Sequence, residues 1–283
     1  MKHHKILASL VVVMMTTSVC FAQANETDTS QTPIEISADQ TLEWNQQDKQ
    51  YTANGNVVVV QGTMTLKADQ LIADYHDEDS SAKNGQQKEG SPNIWQLTAI
   101  GNVQVTDTGR ILYADTGIYN LETENVVATG NNLKLKTDDM TVTARDKMTY
   151  DAKNNIAKAI GKAHLKKGQD DIWANTLTAN MTRGNDGKLS LKSAKANGNV
   201  KITTAEEVLT GNNGIYNLGN ETATITGKVT ITRGENKLNG EKATLNLKTG
   251  VSKMFAAKKS GAGSENSRVR GIFYPGSAPK QSE

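Results

Sequence analysis

Cysteine is almost missing from this chain: Cys20 is the single one in 283 residues. A disulfide framework is therefore excluded, and stability has to come from a hydrogen-bonded, packed core. Aromatic residues make up only 5%, so that core must be aliphatic, built from Val, Ile, Leu and Ala. Neither sign of charge dominates: the formal net charge is +2, far from the basic surplus that phosphate-neutralising nucleic-acid binders carry. There are four prolines, Pro33, Pro92, Pro275 and Pro279, all outside the segments read below as strands, where a missing backbone donor would interrupt a ladder.

Catalytic and metal-binding signatures are missing too. There is no Gly-x-Ser-x-Gly, no credible Ser/His/Asp set and no paired-carboxylate cleft, so nothing supports an enzyme. Gly161-Lys162 and Gly227-Lys228 lack the upstream glycine and following Ser/Thr of a phosphate loop, and read as hairpin turns. His76 and His164, the histidines outside the first residues, read as surface groups. No second ligand lies at metal-binding spacing, and no metal or cofactor is implied.

The N-terminus reads as a secretory signal peptide over residues 1–24. Lys2 and Lys5 give a positive start, Ile6–Val19 an apolar run of 14 residues, and Ala22-Gln23-Ala24 a cleavage site. A run of about 14 is short for a membrane span. Cleavage there removes Cys20 and two lysines, leaving a formally neutral, cysteine-free exported chain with 30 basic and 30 acidic residues.

The positive content of the sequence is a repeat. A glycine followed by apolar-x-apolar recurs at Gly55, Gly101, Gly130, Gly161, Gly198 and Gly227, as in Gly55-Asn56-Val57-Val58-Val59. A small residue, usually followed by Asp or Asn, recurs at Ala38, Ala68, Ala114, Ala144, Ala174, Gly211 and Gly240. From each glycine to the next small residue the distance is 13 or 14 residues. The return distance is 16 or 17, except for 33 and 24 where insertions sit at 76–93 and near 183–190. A unit of about 30 residues with insertions confined to one connection marks a repeat architecture. Apolar residues alternate at period two around both markers, and no helical period appears beyond residue 24, so the units are strands. The expectation is an all-β protein: fourteen or more short antiparallel strands in a meander, folded into two layers with apolar faces inside.

Residues 77–93 ("DEDSSAKNGQQKEGSPN") read as a flexible insertion. Residues 256–283 form a flexible tail whose closing Arg268–Gly276 ("RVRGIFYPG") turns apolar again and is a candidate to dock back. The acids after the small marker (Asp39, Asp69, Asp115, Glu241) suit a repeated turn or bulge better than calcium, because Asn175, Asn212 and Arg145 replace them elsewhere. Lys162, Lys166 and Lys167, with Lys188, Lys192, Lys195 and Lys201, form locally basic stretches. These suit a solvated face or a rim for anionic headgroups.

The recurring "GNV-x-V … L-x-AD" pattern is carried by Gly55–Val59 with Leu66-Lys67-Ala68-Asp69, and by Gly101–Val105 with Leu112-Tyr113-Ala114-Asp115. It resembles the OstA-like domain of lipopolysaccharide transport proteins over residues 33–255. The resemblance implies a twisted, open β-jellyroll and a groove between its layers that holds lipid A acyl chains. It also implies a periplasmic location and head-to-tail self-association into a bridge. Such a bridge runs from an LptC-like inner-membrane protein to an LptD-like outer-membrane translocon. The insertion at 76–93 and the tail depart from the shortest family members. Competing readings are a membrane-anchored LptC-like relative, a structural or adhesive β-solenoid without lipid, and a polysaccharide-active solenoid enzyme.

The inward alternation nominates lipid-facing residues: Ile36, Val57, Val59, Leu66, Val103, Val105, Leu112, Leu133, Leu135, Val142, Leu165, Ile172, Val200, Ile202, Leu209, Val229, Ile231 and Leu238. The pentapeptide Gly-Ile-Tyr-Asn-Leu occurs at 117–121 and, 97 residues on, at 214–218. It reads as one strand segment of two equivalent repeat units, which adds Ile118 and Ile215 at the inward position of Leu42, Ile72 and Met148. The N-terminal edge (Ile34–Leu42) and the C-terminal strand (Lys237–Leu247) are the expected partner edges.

Overall fold

The computed structural model describes residues 34–76, 93–184, 189–246, 248–249, 251–257 and 268–274. The signal segment 1–24, most of the 76–93 insertion and most of the tail lie outside these residues. Every regular element described is a strand: β1 (Glu35–Ser37), β2 (Thr41–Asn45), β3 (Gln50–Gln61), β4 (Met64–His76), β5 (Asn93–Asp107) and β6 (Arg110–Asn120). They continue as β7 (Asn125–Thr129), β8 (Lys134–Lys136), β9 (Met140–Thr143), β10 (Lys147–Asp151), β11 (Ile156–Lys167) and β12 (Asp170–Arg183). The last are β13 (Leu189–Thr203), β14 (Val208–Asn217), β15 (Thr222–Arg233), β16 (Asn236–Asn246), β17 (Val251–Phe255) and β18 (Arg270–Ile272). All pairings between them are antiparallel. The all-β antiparallel class expected from the sequence holds.

The strands are longer than expected, and the recurring glycines explain why. Gly55, Gly101, Gly161, Gly198 and Gly227 are not hairpin turns. They lie inside β3, β5, β11, β13 and β15, where the ladder register shifts by one residue. Each takes a positive φ between 75° and 87°, and the following residue (Asn56, Asn102, Lys162, Asn199, Lys228) is also left-handed, at 44° to 52°. Two residues on the bulged strand thus face one on its partner, which bends the strand and lets it run on in a new direction. The tight hairpins fall elsewhere, at Gly62-Thr63, Thr108-Gly109, Gly168-Gln169 and Gly234-Glu235.

The marker acids accept from the residue after the recurring glycine, in the bulges at Gly55 and Gly101 and also at Gly130, which lies between β7 and β8. Asn56 Nδ2 donates to Asp39 at 2.8 Å, Asn102 Nδ2 to Asp69 at 2.9 Å, and the Asn131 amide to Asp115 at 2.8 Å. At Gly55, Gly101, Gly198 and Gly227 a side chain from the neighbouring strand or turn (Gln40, Asp69, Asn175 and Asn212) fills the space a Cβ would need. At Gly227 (φ +84°) a Cβ would stand 2.6 Å from Asn212 Nδ2. Gly227→Val is therefore expected to cost about 2–4 kcal/mol in urea unfolding, combining left-handed strain on a β-branched residue with the overlap.

The chain divides into two compact units. The N-terminal one comprises Ile34–Asp138 and Arg145–Asn155; the C-terminal one comprises Asp139–Ala144 and the residues from Ile156 onward. In the N-terminal unit β3 through β7 form a meander with β10 on β7, β8 on β6, and β1 and β2 both on β3. In the C-terminal unit β11 through β17 form the meander, with β9 on β11 and β18 on β16. The stretch 33–255 read as one domain thus contains two repeats of one larger plan.

Candidate functional site: an apolar groove in the C-terminal unit

Bending each strand at one level gives each unit two sets of strand halves, and each set has one apolar row. In the C-terminal unit the first row runs through direct cross-strand partners: Val142, Leu165, Ile172, Ile202, Leu209, Ile231 and Leu238. Beyond the bulges the second row reads Ala159, Leu177, Ala196, Gly214, Ile225, Ala243 and Met254. One wall is branched aliphatic throughout, whereas the other is interrupted by Ala and Gly. The missing side-chain volume leaves an open groove of about 490 Å³ between them, lined by members of both rows together with Tyr216, Leu245 and Phe273. That volume lies within the ~300–1,000 Å³ of small-ligand sites.

The N-terminal unit repeats the pattern. Its first row is Ile36, Val59, Leu66, Val105, Leu112 and Leu135. Its second is Leu42, Ala53, Leu71, Ala99, Gly117, Ala128 and Met148. Gly117 and Gly214 occupy the same rung in the two units, so the duplicated pentapeptide marks the duplication of the whole unit.

The nominated residues separate into three groups. Val57, Val59, Val103, Leu133, Val142, Leu165, Val200, Leu209 and Val229 are buried. Leu66, Val105, Leu112, Leu135, Ile172, Ile202, Ile231 and Leu238 are half-buried on the same inward rows. Ile36, also on its row, is at the N-terminal edge and 36% exposed. In the C-terminal unit Leu165, Ile172, Ile202, Leu209, Ile231 and Leu238 line the groove, while Val142, Val200 and Val229 do not.

Ile118 and Ile215 lie one position off the second apolar row. Ile118 pairs with Thr98 and Val127, and Ile215 with Lys195 and Thr224, on the faces opposite those of Gly117 and Gly214. Ile215 is 49% exposed while Gly214 and Tyr216 beside it are buried. Ile215 does border the groove, but the burial of its two neighbours fixes the inward parity. Ile72 faces outward likewise, between buried Leu71 and Ala73. Past Ala68, Ala114, Ala174, Gly211 and Gly240 the inward positions are three and five residues on, because the bend shifts the strand's parity by one, whereas past Ala38 and Ala144 the second row takes the fourth residue, Leu42 and Met148. Strict period two carried across the bend misses Leu177, Ala196, Gly214, Ile225 and Ala243, and the signal that could have found them is the bulge glycine itself.

The groove is lined mainly by aliphatic side chains but also by Thr178, Lys195, Thr224, Asn236, Thr244, Ser252 and Lys253. Arg233 and Glu207, both lining it, pair at 3.4 Å, which neutralises the charge at one end. Tyr216 packs among Ala179 and Leu191, and burial, with the nearby Glu221 charge, raises its hydroxyl pKa above the ordinary range, so it stays neutral. On the outer face His164 stacks on Trp173 at 4.7 Å and meets Asp171 at 2.6 Å, with Lys201 over the other side of the indole. Burial disfavours ionised Asp171, but the His164 and Lys166 contacts prevail and lower its pKa. This outer cluster satisfies itself and faces away from the groove.

The near-neutral total conceals a polarity. Residues 34–138 with 145–155 hold 17 Asp and Glu against 10 Lys and Arg, whereas residues 139–144 with 156–257 hold 9 against 15. The local basic stretches read from the sequence are thus part of a basic C-terminal unit, with Lys158, Lys195 and Lys253 exposed along one outward row.

Two bent-strand units with matching apolar rows, one of them enclosing a groove, define a class of all-β container, with no titratable cluster of catalytic type gathered in the groove among the described residues. The chain belongs to the family described as LptA/(LptD N-terminal domain) LPS transport protein, whose model matches it twice, over residues 35–151 and 141–251. The two matches overlap at the segment that carries β9 of one unit and β10 of the other. Among curated proteins none matches the chain. Among solved structures it is similar to LptH from Pseudomonas aeruginosa, described as the LptA homologous periplasmic component of the conserved lipopolysaccharide transport device. That similarity is at 12% identity and a TM-score of 0.22, over 86% of this chain and 96% of that one.

Proposed function

We propose that this chain is a non-enzymatic periplasmic carrier that shields the acyl chains of lipopolysaccharide and conveys the lipid from the inner to the outer membrane. The observation that carries the reading is the pair of facing apolar rows around the C-terminal groove, in a chain of the LPS transport family. Exposing a twelve-carbon chain to water costs on the order of 10 kcal/mol at about 0.8 kcal/mol per methylene, so lipid crosses an aqueous space only inside a cover. A groove whose two rows are mainly aliphatic binds an acyl chain by area and shape. Its successive rungs, about 4.8 Å apart, offer an acyl chain near-equivalent positions to slide along. Partners in this reading are an LptC-like inner-membrane protein, an LptD-like outer-membrane translocon and further copies of the chain, joined by strand addition at the sheet ends.

Photocrosslinkers test it directly. Incorporated at Ile202, Leu209 or Ile231 they are expected to capture lipopolysaccharide. At Lys201, Thr210 or Thr230, each one residue away on the opposite face, they are expected to capture little. Equal capture from the two sets defeats the reading.

A further inference from the structure

The C-terminal strand expected to be a partner edge, Lys237–Leu247, already carries two strands of its own chain. β16 is covered along its inner half by β17 and along its outer half by β18, which returns from beyond the 258–267 segment. Lys237, Leu238 and Asn239 pair with Ile272, Gly271 and Arg270, and the Tyr274 amide donates to Asn236 Oδ1 at 3.0 Å. Phe273, just past β18, is one of the residues lining the groove. Gly271 continues the first apolar row past Leu238, and its lack of a side chain is needed there. A Cβ would stand 2.6 Å from the Phe273 ring and 3.2 Å from Leu238 Cδ2.

This strap is held lightly. It has three ladder pairs, and each residue from Arg268 to Tyr274 is exposed, Ile272 at 50% and Phe273 at 68%. It is also basic, with Arg268 and Arg270, and lies on the unit that is itself rich in lysine. The opposite end of the chain has matching geometry. β1, again three residues long, pairs with the outer half of β3, carries Glu35, and belongs to the acidic unit.

We propose that β18 is an internal stand-in for a docking strand: it closes the β16 edge and the groove mouth until β1 of a second copy displaces it, so that docking and opening of the groove are one event. This rests on the self-association and lipid binding of the preceding subsection, and adds their regulation. The incoming edge brings acidic charge to a basic seat, which favours the exchange over the strap's own like-charged contact.

A disulfide lock tests it in the full chain. Lys237→Cys and Ile272→Cys are direct cross-strand partners on the outer face, and Cys20→Ser removes the competing thiol. The same protein is compared oxidised and reduced. The oxidised form is expected to release a bound fluorescent fatty acid at least about tenfold more slowly, and to self-associate at least about tenfold more weakly by sedimentation. Equal release rates or equal self-association in the two redox forms overturns the proposal, and so does a lack of association in both. Failure of the fatty acid to bind either form counts instead against the lipid-carrier reading. The strap is then judged on association alone.

Discussion

A Gly214→Leu chain is expected to lose lipid capture in its C-terminal groove by at least about tenfold, a change worth about 1.4 kcal/mol or more, while its fold survives. Gly214 sits on the small wall between Ala196 and Ile225 and takes no left-handed φ. A Cβ there meets only Ala196 Cβ at 3.7 Å and Val200 Cγ1 at 3.8 Å, ordinary van der Waals contacts. The remaining carbons of a leucine extend into the groove, where the lipid would lie. Stability should hold or rise slightly, since glycine within a strand costs about 0.5–1 kcal/mol relative to alanine. Crosslinking from Ile231 and fatty-acid titration measure capture, and a urea melt measures stability. Undiminished capture in a stably folded variant removes the groove from the transport reading.

Leu165→Asp is expected to do the reverse and destroy the C-terminal unit. Leu165 is 1% exposed and lies between Val142 and Ile172 at the heart of the first row. Truncating such a leucine to alanine alone costs about 2–5 kcal/mol, and a carboxyl group with no partner in an aliphatic row adds its desolvation. The sum approaches the whole stability of a typical domain, about 5–15 kcal/mol. Hydrogen exchange should show full loss of protection over residues 156–257 with protection kept in β3–β6. Uniform protection in both units contradicts the packing described here, and loss in both shows that the units unfold as one.

Much of this was legible in the sequence because period-two alternation is local. The aliphatic wall could be read rung by rung from Val59 to Leu238, and the marker acids could be read as bulge partners rather than cation ligands. What was not legible is the bend. Gly101-Asn102 and Gly198-Asn199 have the composition of a hairpin turn, and composition alone does not tell a turn from an in-strand bulge, since both need left-handed residues. That ambiguity hid the second wall, put Ile118 and Ile215 on the row that Gly117 and Gly214 occupy, and made long strands look like pairs of short ones. The return of β18 onto β16 pairs residues 31 to 35 positions apart, and no local pattern encodes it.

The bulges at Gly161, Gly198 and Gly227 fall at one level on alternate strands of the C-terminal unit, and this makes a fold line. The angle between its two walls is set jointly by every bulge along that line, because neighbouring strands share hydrogen bonds on both sides of it. No rung can widen alone without shearing its neighbours. Groove width is therefore a collective coordinate: a chain entering at one rung does part of the work of opening the next, and a side chain that wedges one rung apart is felt along the whole crease.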